Sequence, residues 1–256
     1  MKIANNRLFV STVAEDARET ALQYGLGLEI AEFCTAMNMD TDFPQWDARV
    51  RAKIDGIPAV TFHAPFNELC PSAIEPLVVE IAHRRYRQAA KLAFETYGVT
   101  RMVVHSGYVP LVYFKSYFQE RSVEFWRSVL EDIPPEMTLM LENVMEDEPN
   151  LLTDIVKTID NPRFKLCFDI GHANTIVSNT PMSEWIDTVA PHIGHVHLHN
   201  NFREWDDHNP PDNGLIDMLP AFTRLTDAIP SDATIAIESI ESAPAAKWLH
   251  DNGFIA

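Results

Sequence analysis

The run His195-Val196-His197-Leu198-His199-Asn200-Asn201 places histidine at every second position of a largely apolar stretch, and Asp206-Asp207-His208 follows it closely. Successive side chains of a β-strand point to opposite faces, so this spacing sets three imidazoles on one face. Such a face is not ordinary core. Neutral imidazole is the commonest protein metal ligand, and the aspartate and histidine just beyond add donors of the kind zinc or manganese accepts. Any one of these histidines alone could be structural or part of a solvated face. Together with the carboxylates described below, they point to chemistry.

Composition narrows the setting. The chain has 256 residues, 46% of them hydrophobic, enough for a sizeable core in two small domains or one large barrel. No run approaches the ~20 uncharged apolar residues that span a bilayer. The polar opening Met1 to Arg7 does not read as a signal peptide, so a cytoplasmic protein without a membrane partner is expected. Cys34, Cys70 and Cys167 are widely spaced, form no CxxC and suit a reducing compartment as small buried hydrophobes. The formal net charge of −17, from 37 Asp and Glu against 20 Lys and Arg, argues against nucleic acid as the main partner. The basic cluster His83-Arg84-Arg85-Tyr86-Arg87 lies in a helical pattern and reads as a solvated helix face.

The elements that must carry the histidines repeat one unit. Strands are expected at Leu8 to Val13, Leu26 to Ile30, Ala59 to His63, Met102 to His105, Met137 to Glu142, Phe164 to Asp169, the histidine run, and Ala233 to Glu238. Between them lie helical patterns over Glu15 to Tyr24, Trp46 to Asp55 (after a loop containing Phe43-Pro44), Ile74 to Tyr97, Phe118 to Leu130, Leu151 to Ile159, Met182 to Val189 and Leu215 to Ala228. A last helix is expected at Ala245 to Asn252. About eight such repeats with no linker predict a single-domain (β/α)8 TIM barrel, an α/β fold over residues 1–256. An open doubly wound sheet would need a glycine-rich phosphate loop, and neither GxGxxG nor a Walker motif is present.

Catalytic groups of such barrels sit at the C-terminal ends of the strands, where His63, His105, Glu142, Asp169, His197 and Glu238 all fall. Barrel closure aims Glu142, Asp169, His172, His197 and Glu238 at one centre. Two glutamates, an aspartate and a histidine suit a divalent ion, manganese, magnesium, cobalt or zinc, with room for substrate oxygens. Burying these carboxylates together without a cation would force their pKa values up. His63, His105, His172, Asp206 and His208 supply donors for a second and a third ion.

The motifs Phe62-His63-Ala64-Pro65, Val104-His105-Ser106-Gly107, Leu141-Glu142-Asn143, Phe168-Asp169-Ile170-Gly171-His172, His195-Val196-His197-Leu198, Asp206-Asp207-His208 and Ile237-Glu238 occur in one order. In that order the sequence resembles the xylose-isomerase-like TIM barrels, the superfamily of sugar isomerases and epimerases and of endonuclease IV. The resemblance runs from the first strand to Glu238. It implies that Glu142, Asp169, His197 and Glu238 are metal ligands. In the epimerase branch Glu142 and Glu238 would also be the acid and base pair acting beside a carbonyl through an enediolate, with His172 binding substrate. In the endonuclease IV branch all nine of His63, His105, Glu142, Asp169, His172, His197, Asp206, His208 and Glu238 would hold three zinc ions for phosphoester hydrolysis, with Glu142 bridging two. Asn201, where relatives often carry an acid, and Pro211-Asp212-Asn213-Gly214, in place of a glycine-rich segment, depart from both patterns.

The βα loops read as short, acidic in places and poor in Lys and Arg, which favours a small substrate over abasic DNA. His199 is a further candidate for substrate contact. So is Tyr108, from the aromatic run Tyr108, Tyr113, Phe114, Tyr117 and Phe118, which equally suits helix core or a subunit contact. Glu29, Glu32 and Trp46 are weaker pocket candidates. The reading is a metal-dependent isomerase or epimerase of a small sugar, polyol or sugar phosphate, holding one to three divalent ions, zinc or manganese foremost. Zinc-dependent phosphoester hydrolysis is the rival chemistry, and a barrel that only binds its ligand is the third class. Relatives commonly associate, so a homo-oligomer is compatible with this reading.

Overall fold

The predicted strand-helix alternation closes on itself. A computed structural model describes residues 2–255; Met1 and Ala256 lie outside the described residues. The strands are β1 (Leu8–Ser11), β2 (Gly27–Ile30), β3 (Val60–His63), β4 (Arg101–His105), β5 (Thr138–Glu142), β6 (Phe164–Asp169), β7 (Ile193–Leu198) and β8 (Thr234–Ile237). Each pairs in parallel with the next, and β8 pairs with β1, giving a closed eight-stranded barrel. The helices are α1 (Ala17–Tyr24), α2 (Phe43–Ile54), α3 (Pro76–Tyr97), α4 (Lys115–Asp132), α5 (Asn150–Ile159), α6 (Met182–Val189), α7 (Met218–Ala228) and α8 (Ser242–Asp251).

Parallel strands covered on both sides bury nearly every residue, which is why they read as continuous apolar runs. The helices bury one stripe each. In α5, Leu151, Leu152, Ile155, Val156 and Ile159 are buried, the spacing of one helical face. The long α3 begins with a Glu75 side chain that accepts from the Leu77 amide, and stops at Gly98 in the left-handed region, φ 68°. Both are favourable end structures for the unpaired groups of a helix. Between strands and helices the core is aromatic: Phe33 stacks on Phe62 with centroids 5.8 Å apart, and Tyr86 packs on Trp126 at 4.9 Å.

Several local expectations are revised. Phe43-Pro44, expected in a loop, forms the first turn of α2, where a proline costs no hydrogen bond because that amide has no helical partner. Leu215 to Asp217 precede α7 instead of starting it. The segment after β7 runs over 199–217, much longer than the short loops read from composition. Cys167 is buried, whereas Cys34 and Cys70 are only partly so. The basic cluster on α3 is a paired surface: Arg85 reaches Asp40 and Arg87 reaches Asp132, while Tyr86 turns into the core. No helix among the described residues is long and apolar enough to cross a membrane.

Gly27 marks the tightest point of the β1–β2 packing. A Cβ there would lie 2.4 Å from the Phe9 ring and 2.8 Å from the Ala59 carbonyl oxygen. Gly27→Ala is expected to cost about 1–3 kcal/mol through overpacking, read as a lower urea midpoint with an unchanged m-value.

Candidate metal centre

The three histidines of β7 and its end climb the inside of the barrel. At the lowest, His195 Nδ1 lies 2.6 Å from Thr234 Oγ1, and its Nε2 is 3.1 Å from Glu29 Oε2. One step up, His197 turns its two nitrogens to opposite partners. Nε2 is 3.0 Å from Glu29 Oε1, while Nδ1 is 2.8 Å from Glu142 Oε1, 3.0 Å from Glu238 Oε2 and 3.7 Å from Asp169 Oδ2. His199, just past the strand, sets Nε2 2.9 Å from Asp169 Oδ1. Two further donor groups adjoin this centre. Glu142 Oε2 faces His63 Nε2 at 3.3 Å and His105 Nε2 at 3.1 Å. Asp206 Oδ2 lies 3.0 Å from His172 Nε2 and 2.8 Å from His208 Nε2.

Strand register and a few polar clamps make this convergence. His105 pairs with Glu142 and Asp169 with His197 across neighbouring strands. The Asn143 side chain accepts from the Asp169 amide and donates to the Asp169 carbonyl. Asp169 Oδ1 then accepts from the His172 amide at 2.7 Å, starting the 3-10 turn His172–Asn174. After β7, Asn200 ties the long loop together: its backbone bridges Asn209, and its amide donates to the Pro211 and Ile216 carbonyls. Asn201 donates to the Gly171 carbonyl and accepts from Asn174 and Arg203. An acid there could not make the first of these bonds. The loop thereby returns Asp206 and His208 to the barrel, with His208 in the left-handed region at φ 49°.

Backbone carbonyls orient three of the rings. His63 Nδ1 donates to the Ala64 carbonyl, His172 Nδ1 to the Asn143 carbonyl and His208 Nδ1 to the Glu238 carbonyl, at 2.9, 2.8 and 2.8 Å. A carbonyl only accepts, so each Nδ1 carries a proton and each Nε2 meets a carboxylate oxygen. Two lone pairs at that separation repel unless a proton or a metal ion lies between them. The buried Glu142 Oε2, facing two imidazoles yet without a hydrogen-bond partner, fits the second description. His63, His105 and Glu142, and His172, His199, Asp206 and His208, each bring donor atoms close enough to share one ion.

Protonation follows the same geometry. Burial alone would raise the Glu142 carboxyl, but His197 and His105 hold it well below the ordinary range. Burial opposes charge on His172, yet Asp169 and Asp206 raise it well above normal. His208 is likewise disfavoured by burial and pushed up to about 9 by Asp206 and Glu238. At His105 and His195 burial prevails and lowers the pKa.

All nine of the sequence-selected ligands thus meet, joined by His199. Tyr108 does not: it is buried against Phe118 at 4.8 Å, and Phe114 projects into solvent at 86% exposure. The cavity lies on the other side. A cavity of about 380 Å³ there is lined by Glu238 and His208 together with Glu32, Trp46, Arg49 and Phe66. Arg49 is held 3.1 Å from Glu15, and Lys53 is held 3.0 Å from Glu32. Sequence reasoning missed the buried Glu146, which accepts from Ser106 Oγ at 2.5 Å and from the Val144 amide, joining the ends of β4 and β5. Its carboxyl is raised by burial. A Glu three residues past a ligand-bearing Leu-Glu-Asn carries no signal that separates it from a solvated acid.

Gly171 lies flat beneath His199, where a Cβ would be 2.0 Å from the ring. Gly171→Ala is expected to push His199 off Asp169 and cost about 1–3 kcal/mol, measured by thermal and urea unfolding of the metal-free protein.

The family described as xylose isomerase-like TIM barrel matches residues 24–255. MJ1311, an uncharacterized protein of Methanocaldococcus jannaschii, is 29% identical over 190 residues, covering 70% of this chain and 64% of that protein. The chain therefore spans less than two thirds of that relative. Among solved structures, the TTHB071 protein of Thermus thermophilus soaked with zinc chloride shares 23% identity at a TM-score of 0.72, covering 97% of this chain and 98% of that one. A D-tagatose 3-epimerase-like protein shares 23% at 0.73, covering 96% of each chain. D-psicose 3-epimerase in the presence of D-fructose shares 14% at 0.74, covering 97% and 99%. At these identities the likeness to solved structures is one of fold. The matched span and the closed barrel together show that the chain belongs to the xylose isomerase-like TIM barrel family.

Proposed function

We propose that this protein is a divalent-metal-dependent isomerase or epimerase of a small sugar or polyol. The observation that carries the reading is the meeting of Glu142 and Glu238 at one nitrogen of His197, 2.8 and 3.0 Å away, with Glu238 also bordering a cavity of about 380 Å³. That volume suits a monosaccharide. Glu142, Asp169, His197 and Glu238 would hold the ion, which when bound offsets their charge and polarises a substrate carbonyl and the adjacent hydroxyl.

The chain's own groups then divide the proton transfer. One of the two glutamates takes the proton from the carbon next to the carbonyl, leaving an enediolate. The other, protonated at the start, returns its proton to the opposite face, inverting that centre, or to the neighbouring carbon while the hydroxyl proton passes to the former carbonyl oxygen, moving the carbonyl. In this reading His172 would contact a substrate hydroxyl, whereas His199 is fully buried against Gly171 and Asp169. Arg49 and Lys53 are already paired with acids, which supports an uncharged sugar over a sugar phosphate. The epimerases among the structural neighbours are in keeping with this reading.

A second reading, zinc-dependent phosphoester hydrolysis, is favoured by one observation: His63 and His105 gather on Glu142, and His172 and His208 on Asp206, as well as the central group. That set offers places for two or three ions and a hydrolytic water.

Elemental analysis of protein purified without added metal or chelator separates the two. One manganese, cobalt or magnesium ion per chain, with turnover on ketoses or aldoses, is the expected result. Two or three zinc ions with activity on phosphodiesters would replace it by hydrolysis, and no metal after soaking in excess would overturn both. Glu238→Gln is expected to keep its circular dichroism spectrum while losing about 100-fold or more in kcat, the usual scale for a general acid or base. Unchanged turnover would remove Glu238 from the reaction.

A further inference from the structure

Below the donor groups, Glu29 sits wholly buried in the barrel between two imidazoles. Its Oε1 is 3.0 Å from His197 Nε2, and its Oε2 is 3.1 Å from His195 Nε2 and accepts from Thr61 Oγ1 at 3.2 Å. His63, His172 and His208 are oriented through Nδ1 by backbone carbonyls. His197 is turned the other way and has no carbonyl partner among the described residues, so its orientation depends on a side chain. Glu29 Oε1, His195 Nε2 and His197 Nε2 have no hydrogen-bond partner among the described residues, although the two ring nitrogens lie 3.1 and 3.0 Å from Glu29; the hydrogen bond His197 makes is at Nδ1, with Glu142 Oε1 at 2.8 Å, the place an ion would take.

We infer that Glu29 is the positioning residue of this centre: in the metal-bound protein it accepts a hydrogen bond from His197 Nε2–H, so that Nδ1 faces Glu142 and Glu238 as a bare lone pair. The inference rests on the reading of His197 as a metal ligand. An ionised carboxylate accepts and never donates, so a ring that bonds Glu29 through Nε2 carries its proton there and leaves Nδ1 as a lone pair toward Glu142 and Glu238. A carboxylate behind a ligating imidazole fixes the tautomer and strengthens the donor nitrogen. Glu29 also serves His195, whose other nitrogen is on Thr234, so both of its oxygens are engaged. An amide at this position would offer one acceptor to two rings and set its NH2 group against the second ring's N–H.

The test is zinc affinity and ring tautomer, neither of which needs a substrate. Glu29→Gln is expected to weaken zinc binding 10–100-fold, the usual loss for such a partner, in competition with a chromophoric chelator. In the zinc-loaded wild type, long-range 15N–1H spectra are expected to show His197 bound through Nδ1 with its proton on Nε2. Thr61→Val, which leaves both imidazole contacts in place, is expected to lose less affinity than Glu29→Gln. Equal affinity in wild type and Glu29→Gln, or a His197 bound through Nε2, would overturn the role of Glu29 alone. A wild type that takes up no zinc would overturn the metal reading with it. If Glu29→Gln fails to fold, the wild-type spectrum still decides.

Discussion

Carboxylates and imidazoles at the mouth of this barrel face one another with acceptor against acceptor. The carbonyls of Ala64, Asn143 and Glu238 accept hydrogen bonds from the Nδ1–H groups of His63, His172 and His208, which leaves Nε2 atoms 3.3, 3.0 and 2.8 Å from carboxylate oxygens. Without positive charge between them that arrangement is repulsive, and most costly at His63 and Glu142, which are buried. Protons can supply the charge, and the facing carboxylates accordingly raise the pKa of His172 and His208. A divalent ion supplies it with fewer particles and leaves the rings neutral. The Asn143 clamp, the Asn200-centred loop and the strand register all serve to keep these like-minded groups together.

The barrel can afford this because its stability is generated elsewhere. The aromatic and aliphatic layer between strands and helices, with Trp126, Trp185, Tyr86 and Phe33 fully buried, is separate from the polar column inside. Side chains alternate along each strand, so one strand serves both layers: Val196 and Leu198 face the apolar layer while His195 and His197 face the column. Substitutions in the column therefore act mainly on charge and donor placement. Those in the outer layer act on packing.

Much of this was readable in the chain. Continuous apolar runs marked strands because parallel barrel strands are covered on both faces, and the candidate ligands stood out because they fall where those runs stop. Depth was not readable. Glu29 and Glu32 are three residues apart and looked alike, yet the first lies in the barrel column and the second lines the cavity beside Trp46. Alternation says which face a side chain takes, but not how far it stands from the rim. Tyr108 misled for a related reason: an aromatic past a strand end suits pocket or helix packing equally, and the choice depends on α4, whose position no local pattern gives. The long loop after β7 was hidden because its order comes from the backbone partners of Asn200, which lie up to 216 in the chain.

The latch of that loop has a bearing on how the molecule assembles. His208 is fixed through the Glu238 carbonyl, and the Ile240 amide bonds back to His208, so the last donor group exists only once β8 lies beside β7. The candidate ligands span His63 to Glu238, contacts of long sequence separation whose loop-closure entropy must be met before they form. Bound metal would thus add its free energy to the finished barrel and little to its precursors. The ion would act as a seal on a completed fold, slowing its opening without having guided its making.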